Sequence, residues 1–352
     1  MKEKHIFSIF ECPDGYEIAD DVFSRYGSLV VNKSTIVNEY IRQKLKSFKV
    51  DRIAVFEPAL LKTSVDSPKA AFVATKKKYM KGINSVKVII NDLAAGRVLD
   101  YEKINEISDS FYHKMDSNFA IIECLNQIKG ADEYTYSHSV NVSLYSMLIG
   151  KWLKLPESEI KLLLNAGILH DVGKTKVPME ILNKRGPLTQ SEFDVIKKHS
   201  VYGFELVKDI PDINEKVKNA VLMHHEKENG TGYPYGMKSE GISYFAKIIS
   251  IADVFDALTS ERVYKSRLTP FDTFREFERI GIGEGHYDPS ILLTFLYNIS
   301  QYYIGSSVLM STGIVGEIVY IPPHNISSPV VRDEDDYIDL SVRQDVKIVE
   351  IL

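Results

Sequence analysis

Five of the nine histidines fall between positions 138 and 225, and each sits at an edge of a stretch with helical apolar spacing. His138 stands near the start of a helix running to Trp152. His170-Asp171 closes an apolar helix from Ile160 to Leu169, and His224-His225 closes another from Val217 to Met223. Thr189 with Glu192 reads as a capping box that opens a helix through His199. Asp253 lies inside the apolar run Phe245 to Leu258, where an unpaired carboxylate is costly and a bound cation removes the cost. One helical histidine is ordinarily a satisfied surface or core residue. The whole set asks more of the fold: several helices have to converge on one point. Neighbouring helix positions are about 100° apart, so His170 with Asp171, and His224 with His225, can each reach such a point from a helix end.

The donors are nitrogen and oxygen. Cys12 and Cys124 are too far apart for ligand-type spacing or a disulfide framework, which fits a reducing compartment and excludes a cysteine-type structural zinc. Iron, manganese, zinc and other divalent ions suit the remaining set. Five imidazoles and two carboxylates exceed the needs of one ion and suit two that share a bridging carboxylate, for which Asp171 is the natural candidate. Two such ions, about 3.5 to 4 Å apart, hold a bridging hydroxide near neutral pH and clamp both oxygens of a phosphoryl displacement. The implied reaction is hydrolysis of a phosphate ester.

His138, then His170-Asp171-Val172-Gly173-Lys174, then Asp253 resemble the core of the HD phosphohydrolase superfamily. His224-His225-Glu226-Lys227-Glu228-Asn229-Gly230-Thr231-Gly232-Tyr233-Pro234 resembles the signature of its HD-GYP branch. So does Ile251 to Ser260, with Arg262, Tyr264 and Lys265 after it. The motifs occur in order over about 120 to 300. The resemblance implies an all-helical catalytic domain that hydrolyses cyclic di-GMP to the linear dinucleotide pGpG, GMP, or both. Carried over by position, the metal ligands are His138, His170, Asp171, His199, His224, His225 and Asp253, with Asp171 and Lys174 in catalysis. Lys174, Arg262 and Lys265 fall where the family grips substrate phosphates. Taken alone, Lys174 reads equally as a helix C-terminal cation, and Arg262 and Lys265 as surface charges. Asp256, one turn from Asp253, is either support for a metal-bound histidine or half of a helix salt bridge. Gly230, Gly232 and Pro234 shape a tight loop in which Tyr233 lines the cleft, faces a protein partner, or is structural.

Two departures bear on this. Family members with three metals carry a Glu one helical turn before the His138 position; Tyr134 stands there, and Glu133 is off the facing stripe. The expectation is therefore two divalent ions, iron or manganese first, with zinc, nickel, cobalt and magnesium open. Asn229 replaces the common Asp before the first signature glycine, so weakened loop support is the most it should cause.

The fold expected is mainly α and multidomain: an all-helical HD-type catalytic domain with a small α+β N-terminal module and a short C-terminal β element. In residues 1–62, β-branched runs Ser28 to Val31 and Arg52 to Phe56 flank a helix from Ile36 to Phe48. Ser, Pro and Lys over 63–80 suggest a linker, extended by connecting helices to 116. The catalytic domain is set at 117–303. From 304 to 352, alternation over Gly313 to Tyr320, Tyr337 to Leu340 and Val346 to Ile351 marks strands, with an acidic turn at Asp333 to Asp336.

A net charge of -5 argues against a nucleic-acid or membrane-surface binder. The apolar start Ile6 to Phe10 is broken at Ser8 and stopped at Glu11, too short for a signal peptide, and no run approaches the ~20 apolar residues of a membrane span. A cytoplasmic enzyme is expected. Its partner is cyclic di-GMP or a related cyclic dinucleotide, and a signalling protein could meet the 230–234 loop or the N-terminal module; homodimer formation is open. The competing readings are a non-catalytic cyclic di-GMP receptor and a phosphodiesterase for another cyclic dinucleotide such as cyclic GMP-AMP.

Overall fold

The chain is described by a computed structural model over residues 4–23, 29–31, 33, 35–56, 68–115, 117–127, 134–184, 186–260, 268–334 and 336–352. It divides into a terminal unit, residues 1–67 with 303–352, and a helical unit, residues 68–302. The terminal unit holds strands β1 (Lys4–Ser8), β2 (Glu17–Ile18), β3 (Val22–Phe23), β4 (Leu29–Val31) and β5 (Arg52–Phe56), with helix α1 (Glu39–Ser47) before β5. Strands β1, β5 and β2 form one antiparallel sheet in that order, and β3 pairs with β4.

The sequence reading set the two chain termini apart, but here they share one core. Ile18, Val31, Val37, Ile41, Leu45 and Val55 pack in one cluster with Val319, Tyr320 and Val330. Asn38 joins them: its Oδ1 caps α1 by accepting from Ile41 N at 2.9 Å, and its Nδ2 donates to Val319 O at 2.7 Å. Which sheet faces which helix is a long-range choice that alternation cannot show.

The helical unit begins with α2 (Pro68–Ala94), 27 residues long, α3 (Tyr101–Lys114), α4 (Asn118–Gln127) and α5 (Tyr134–Trp152). The linker expected over 63–80 is thus helix from Pro68 onward; 63–67 lie outside the described residues. The Lys-rich stretch hid a stripe of Tyr79, Ile83, Val86, Ile89 and Leu93, all buried at helical spacing, while Lys76 and Lys77 are exposed. There follow α6 (Glu157–Leu169), a 3-10 turn at Val172–Lys176, α7 (Met179–Leu182), α8 (Gln190–Lys197), α9 (His199–Val207) and α10 (Glu215–Met223). The unit ends with α11 (Tyr244–Thr259), α12 (Pro270–Phe277), a π-turn at Glu278–Gly283 and α13 (Pro289–Ser300).

Two glycines set how closely the site's helices approach. A Cβ on Gly167 of α6 would lie 2.4 Å from Ser143 Cα of α5, so these backbones touch. A Cβ on Gly173 would lie 1.9 Å from His199 O and 2.3 Å from Gly203 N, which seats the 3-10 turn on the backbone of α9.

In the terminal unit, β6 (Ser307–Met310), β7 (Val315–Tyr320), β8 (Val330–Asp333), β9 (Asp336–Asp339) and β10 (Ile348–Ile351) form an antiparallel sheet in the order β10-β6-β7-β8-β9. The acidic turn joins β8 to β9. Among the described residues, no helix is long and apolar enough to cross a membrane.

Candidate metal centre

The seven residues marked in the sequence converge. His138 comes from the first turns of α5, His170 and Asp171 from the end of α6, His224 and His225 from the end of α10, and Asp253 from the middle of α11. The capping box at Thr189 opens α8 as expected, but that helix stops at Lys197, so His199 is the first residue of α9 and not the end of its predecessor. Lys198 makes the turn between them.

Two ligand groups form, and Asp171 belongs to both: Asp171 with His199, His224 and His225, and Asp171 with His138 and His170. Asp171 Oδ1 faces His199 Nε2 at 3.4 Å, while Oδ2 faces His170 Nε2 at 3.3 Å and His138 Nε2 at 3.5 Å. Asp253 Oδ1 lies 3.1 Å from His138 Nε2, and its Oδ2 lies 3.9 Å from His225 Nδ1.

Tautomers follow from the hydrogen bonds on the far side of each ring. A backbone carbonyl can only accept, so the ring nitrogen against it carries the proton. His170 Nδ1 donates to Gly167 O at 2.8 Å, His199 Nδ1 to Ile196 O at 2.7 Å, and His224 Nδ1 to Val221 O at 2.9 Å. His138 Nδ1 faces Asp256 Oδ2 at 2.7 Å. All four rings therefore turn an Nε2 lone pair toward the centre. His199 Nε2 and His224 Nε2 stand only 3.2 Å apart, lone pair against lone pair.

Protons do not relieve this. Burial pushes the His199 pKa below its ordinary value; burial and then the neighbouring His225 push His224 well below it. His225 is pushed down to about 3, again chiefly by burial. Burial works against ionising Asp171, yet Lys174 and His170 hold its carboxyl well below the usual range. Asp253 is likewise lowered against burial by His138. Neutral His199, His224 and His225 beside ionised Asp171 and Asp253 make a cation site. The residues fit divalent metal on two further counts: His170 Nε2 and Asp171 Oδ1 are buried with no hydrogen-bond partner.

Lys174 Nζ lies 2.5 Å from Asp171 Oδ2 on a partly exposed side chain, one turn along from the shared carboxylate. Arg262 and Lys265 lie outside the described residues, as do Glu133 and the side chain of Tyr134. Asp256 pairs with His138 and is fully buried. The signature loop folds back over His225. A Cβ on Gly232 would lie 2.4 Å from His225 O, to which Tyr233 N donates at 3.1 Å, and the Tyr233 ring lies 4.6 Å from the His225 ring. Tyr233 thus turns toward the ligands. Asn229 donates from Nδ2 to Glu284 O at 2.9 Å, and its Oδ1 accepts from Thr231 N and Oγ1.

Three contributors carried no expectation. Buried Glu226 accepts from Tyr235 N and Met237 N and so ties down the loop. Asn141 and Tyr79 stand behind Asp256. Asn141 lies three positions after His138, on the same helix face, which was the available signal.

Comparison with known proteins agrees with this geometry. Residues 124–291 match the HD domain family. A cyclic di-GMP phosphodiesterase of Pseudomonas aeruginosa, PA4108, is 32% identical over 248 residues, covering 70% of this chain and 59% of that protein. The 3'3'-cGAMP-specific phosphodiesterase 2 of Vibrio cholerae is 32% identical over 205 residues, 58% of this chain and 38% of that one. A cyclic di-GMP phosphodiesterase of Thermotoga maritima is 33% identical over 183 residues, 51% of this chain and 49% of that one. The chain thus spans about two fifths to three fifths of the length of these relatives. Among solved structures, Bd1817 of Bdellovibrio bacteriovorus, described as an HDG"Y"P protein, aligns with TM-score 0.53 and 17% identity over 83% of this chain and 98% of that one, a likeness of fold.

Proposed function

We propose that this chain, whose residues 124–291 match the HD domain family, is a metal-dependent phosphodiesterase of the HD-GYP type that hydrolyses cyclic di-GMP to pGpG, GMP or both. The observation that carries the reading is the pair of lone pairs on His199 and His224, 3.2 Å apart in a site where burial keeps imidazoles neutral. Only a cation makes that arrangement favourable, and the sharing of Asp171 by two ligand groups argues for two. The ions best suited are iron or manganese, with His138, His170, Asp171, His199, His224, His225 and Asp253 holding them.

Divalent metal bound there supplies Lewis acidity and lowers the pKa of water toward neutrality. The chain's own residues do the rest. Fixed tautomers hold four imidazoles in place without reorganisation. Asp171 presents a carboxylate oxygen to each of the two ligand groups. Lys174, at the partly exposed rim, offers a cation to a phosphate oxygen, and Arg262 and Lys265 are proposed to join it. Tyr233 and Gly232 close the wall beside His225 and limit water at that face. The relatives act on cyclic di-GMP or on 3'3'-cGAMP by their names, at nearly equal identity; what favours cyclic di-GMP is that PA4108, matched over 70% of this chain against 58% for the 3'3'-cGAMP enzyme, is named for it.

The test joins metal analysis to turnover. Anaerobically purified protein is expected to hold two divalent ions and to hydrolyse cyclic di-GMP faster than cyclic GMP-AMP. Asp171→Ala should lose at least one ion and all turnover. Substantial hydrolysis by that variant would sink the mechanism, and three tightly held ions would overturn the count. Binding of cyclic di-GMP without turnover under manganese or reduced iron would make the chain a receptor.

A further inference from the structure

A buried hydrogen-bonded chain runs from His138 away from the metal centre to the first helix of the unit. His138 Nδ1 lies 2.7 Å from Asp256 Oδ2. Asn141 Nδ2 donates to Asp256 Oδ1 at 2.8 Å, and Ser260 Oγ donates to the same oxygen at 3.0 Å. The Tyr79 hydroxyl donates to Asn141 Oδ1 at 2.6 Å. Tyr79 and Asp256 are fully buried, and Asn141 nearly so.

The direction of every bond is determined. A carboxylate accepts, so Asn141 must turn its amide nitrogen toward Asp256. Its carbonyl oxygen is then left facing Tyr79, which has to donate. If the Asn141 amide were rotated, its oxygen would oppose the carboxylate in a buried, low-dielectric site. Removing the Tyr79 hydroxyl leaves the Asn141 oxygen buried without its donor. The amide is then held from one side only, its bond to Asp256 loosens, and with it the rotamer that holds His138 Nδ1.

We infer that Tyr79 and Asn141 are positioning residues for the metal ligand His138. Acting through Asp256, they lock the tautomer and ring angle that aim His138 Nε2 at Asp253 and Asp171, 3.1 and 3.5 Å away. The inference rests on the metal reading above, not on the identity of the substrate. It gives α2, whose Lys-rich sequence reads as connecting chain, a part in the metal centre.

The same helical unit contains a natural control. Asn165 Nδ2 donates to the Tyr101 hydroxyl at 2.8 Å and to Asn105 Oδ1 at 2.8 Å, while Ser108 Oγ donates to Asn165 Oδ1 at 2.5 Å. This is also a buried tyrosine-asparagine-serine network, but none of these bonds ends on a metal ligand. A hydroxyl deleted from either network costs stability. Only the first deletion should cost metal affinity.

The experiment uses the full chain, stripped of metal, titrated with manganese by calorimetry, and melted with fluorescence of Trp152, the chain's one tryptophan, as the reporter. Outer partners that touch a ligand histidine directly are worth about 10- to 100-fold in metal affinity. Asp256→Asn should fall in that range. Ser260→Ala, one bond further out, and Tyr79→Phe, two bonds further out through Asn141, should each raise the apparent manganese dissociation constant about three- to tenfold on the same scale. Tyr101→Phe should lower the melting temperature comparably and leave the constant within about twofold of wild type. The inference falls if Tyr79→Phe and Ser260→Ala both bind manganese as wild type does, or if Tyr101→Phe weakens binding as much as they do. It also falls if the wild-type chain binds no divalent ion. Manganese binding with the expected ranking, but no turnover of any cyclic dinucleotide, would remove the proposed function and leave this inference standing.

Discussion

The two units of this chain bury different things. In the terminal unit, among the described residues, the buried polar side chains are Thr35 and Ser327; its core is Ile, Val, Leu and Tyr. In the helical unit, His138, Asn141, Asn165, His170, Asp171, His199, His224, Glu226, Asp253 and Asp256 are all buried. A dry core is satisfied by volume and packing alone. A wet one has to place a partner on each polar atom. Among the described residues Glu228 Oε1, Thr273 Oγ1 and His286 Nδ1 lack a hydrogen-bond partner singly, whereas His170 Nε2, Asp171 Oδ1 and the opposed lone pairs of His199 and His224 gather at one point. That clustering marks the chemistry, and the far-side bonds of the same side chains show what holds them there.

The sharpest way to break this contrast is to disturb the wet core without touching a ligand. Gly173→Ala places a methyl 1.9 Å from His199 O, against backbone that cannot move aside without taking a ligand with it. The expected loss is more than about 4 kcal/mol of stability, together with the metal-induced rise in melting temperature. If Gly173→Ala melts like wild type and binds manganese normally, the close seating of the 3-10 turn on α9 does not matter to the site.

The matching change in the dry core is Ile41→Ala. Ile41 is fully buried, and its loss should cost about 3 kcal/mol. Manganese affinity should not change. Trp152 belongs to the helical unit, so its fluorescence transition should stay in place while part of the circular-dichroism signal melts earlier. A parallel shift of both signals would mean that the two cores unfold together, and the contrast would then describe composition but not stability.

Acid should separate the cores next. His199, His224 and His225 have folded-state pKa values pushed below the ordinary ~6.5. In metal-free protein at pH below that value, the unfolded chain takes up protons that the folded chain refuses, so stability falls as pH falls. The limit is about 1.4 kcal/mol per pH unit for each imidazole. Between pH 7 and 5.5 this amounts to about 1 kcal/mol for each imidazole that stays neutral, so up to about 4 kcal/mol for the three in the helical unit. The terminal unit buries no histidine among its described residues, so its transition should hardly move. Denaturant melts at both pH values, followed by fluorescence and circular dichroism, would show a common shift if the burial of the imidazoles were not the cause.

The two cores also differed in how much of them the sequence made legible. The ligands were readable because histidine and aspartate are rare at the ends and middles of apolar helices, and each such placement needs a reason. The helices carrying them appear close to where the spacing put them: Tyr134–Trp152, Glu157–Leu169, Glu215–Met223 and Tyr244–Thr259. What failed was context. Thr189 announced a helix start, but nothing local announced the stop at Lys197 that rotates His199 into place. The Lys run at 76–78 drew attention from the buried stripe of α2. The joining of the chain's two ends depends on Val319, Tyr320 and Val330 meeting residues some 280 positions away, and no short-range pattern encodes that. Asn141 differs again: its spacing from His138 is readable, but its importance lies in a partner of a partner, Asp256.

Asn229 gives the finest test of the contrast, because it sits at the exposed edge of the wet core. Judged by sequence, an amide where a carboxylate is common should weaken the loop. The geometry reverses that expectation. Asn229 Oδ1 accepts from Thr231 N at 3.0 Å and from Thr231 Oγ1 at 2.7 Å, bonds that a carboxylate could also make. Its Nδ2 donates to Glu284 O at 2.9 Å, a bond that a carboxylate cannot make, since two acceptors would face each other. Asn229→Asp should therefore destabilise the loop, by less than about 1 kcal/mol because the bond is exposed to water. The measurement is amide hydrogen exchange at Glu228, whose N–H donates to His286 O at 3.1 Å beside this contact. Exchange there should speed up severalfold, with manganese affinity unchanged, since His225 is held by Gly232 and Tyr233 on the other side of the loop. Slower exchange in Asn229→Asp would show that charge at this position matters more than the donor. Weaker manganese binding would show that the boundary of the wet core extends out to Asn229.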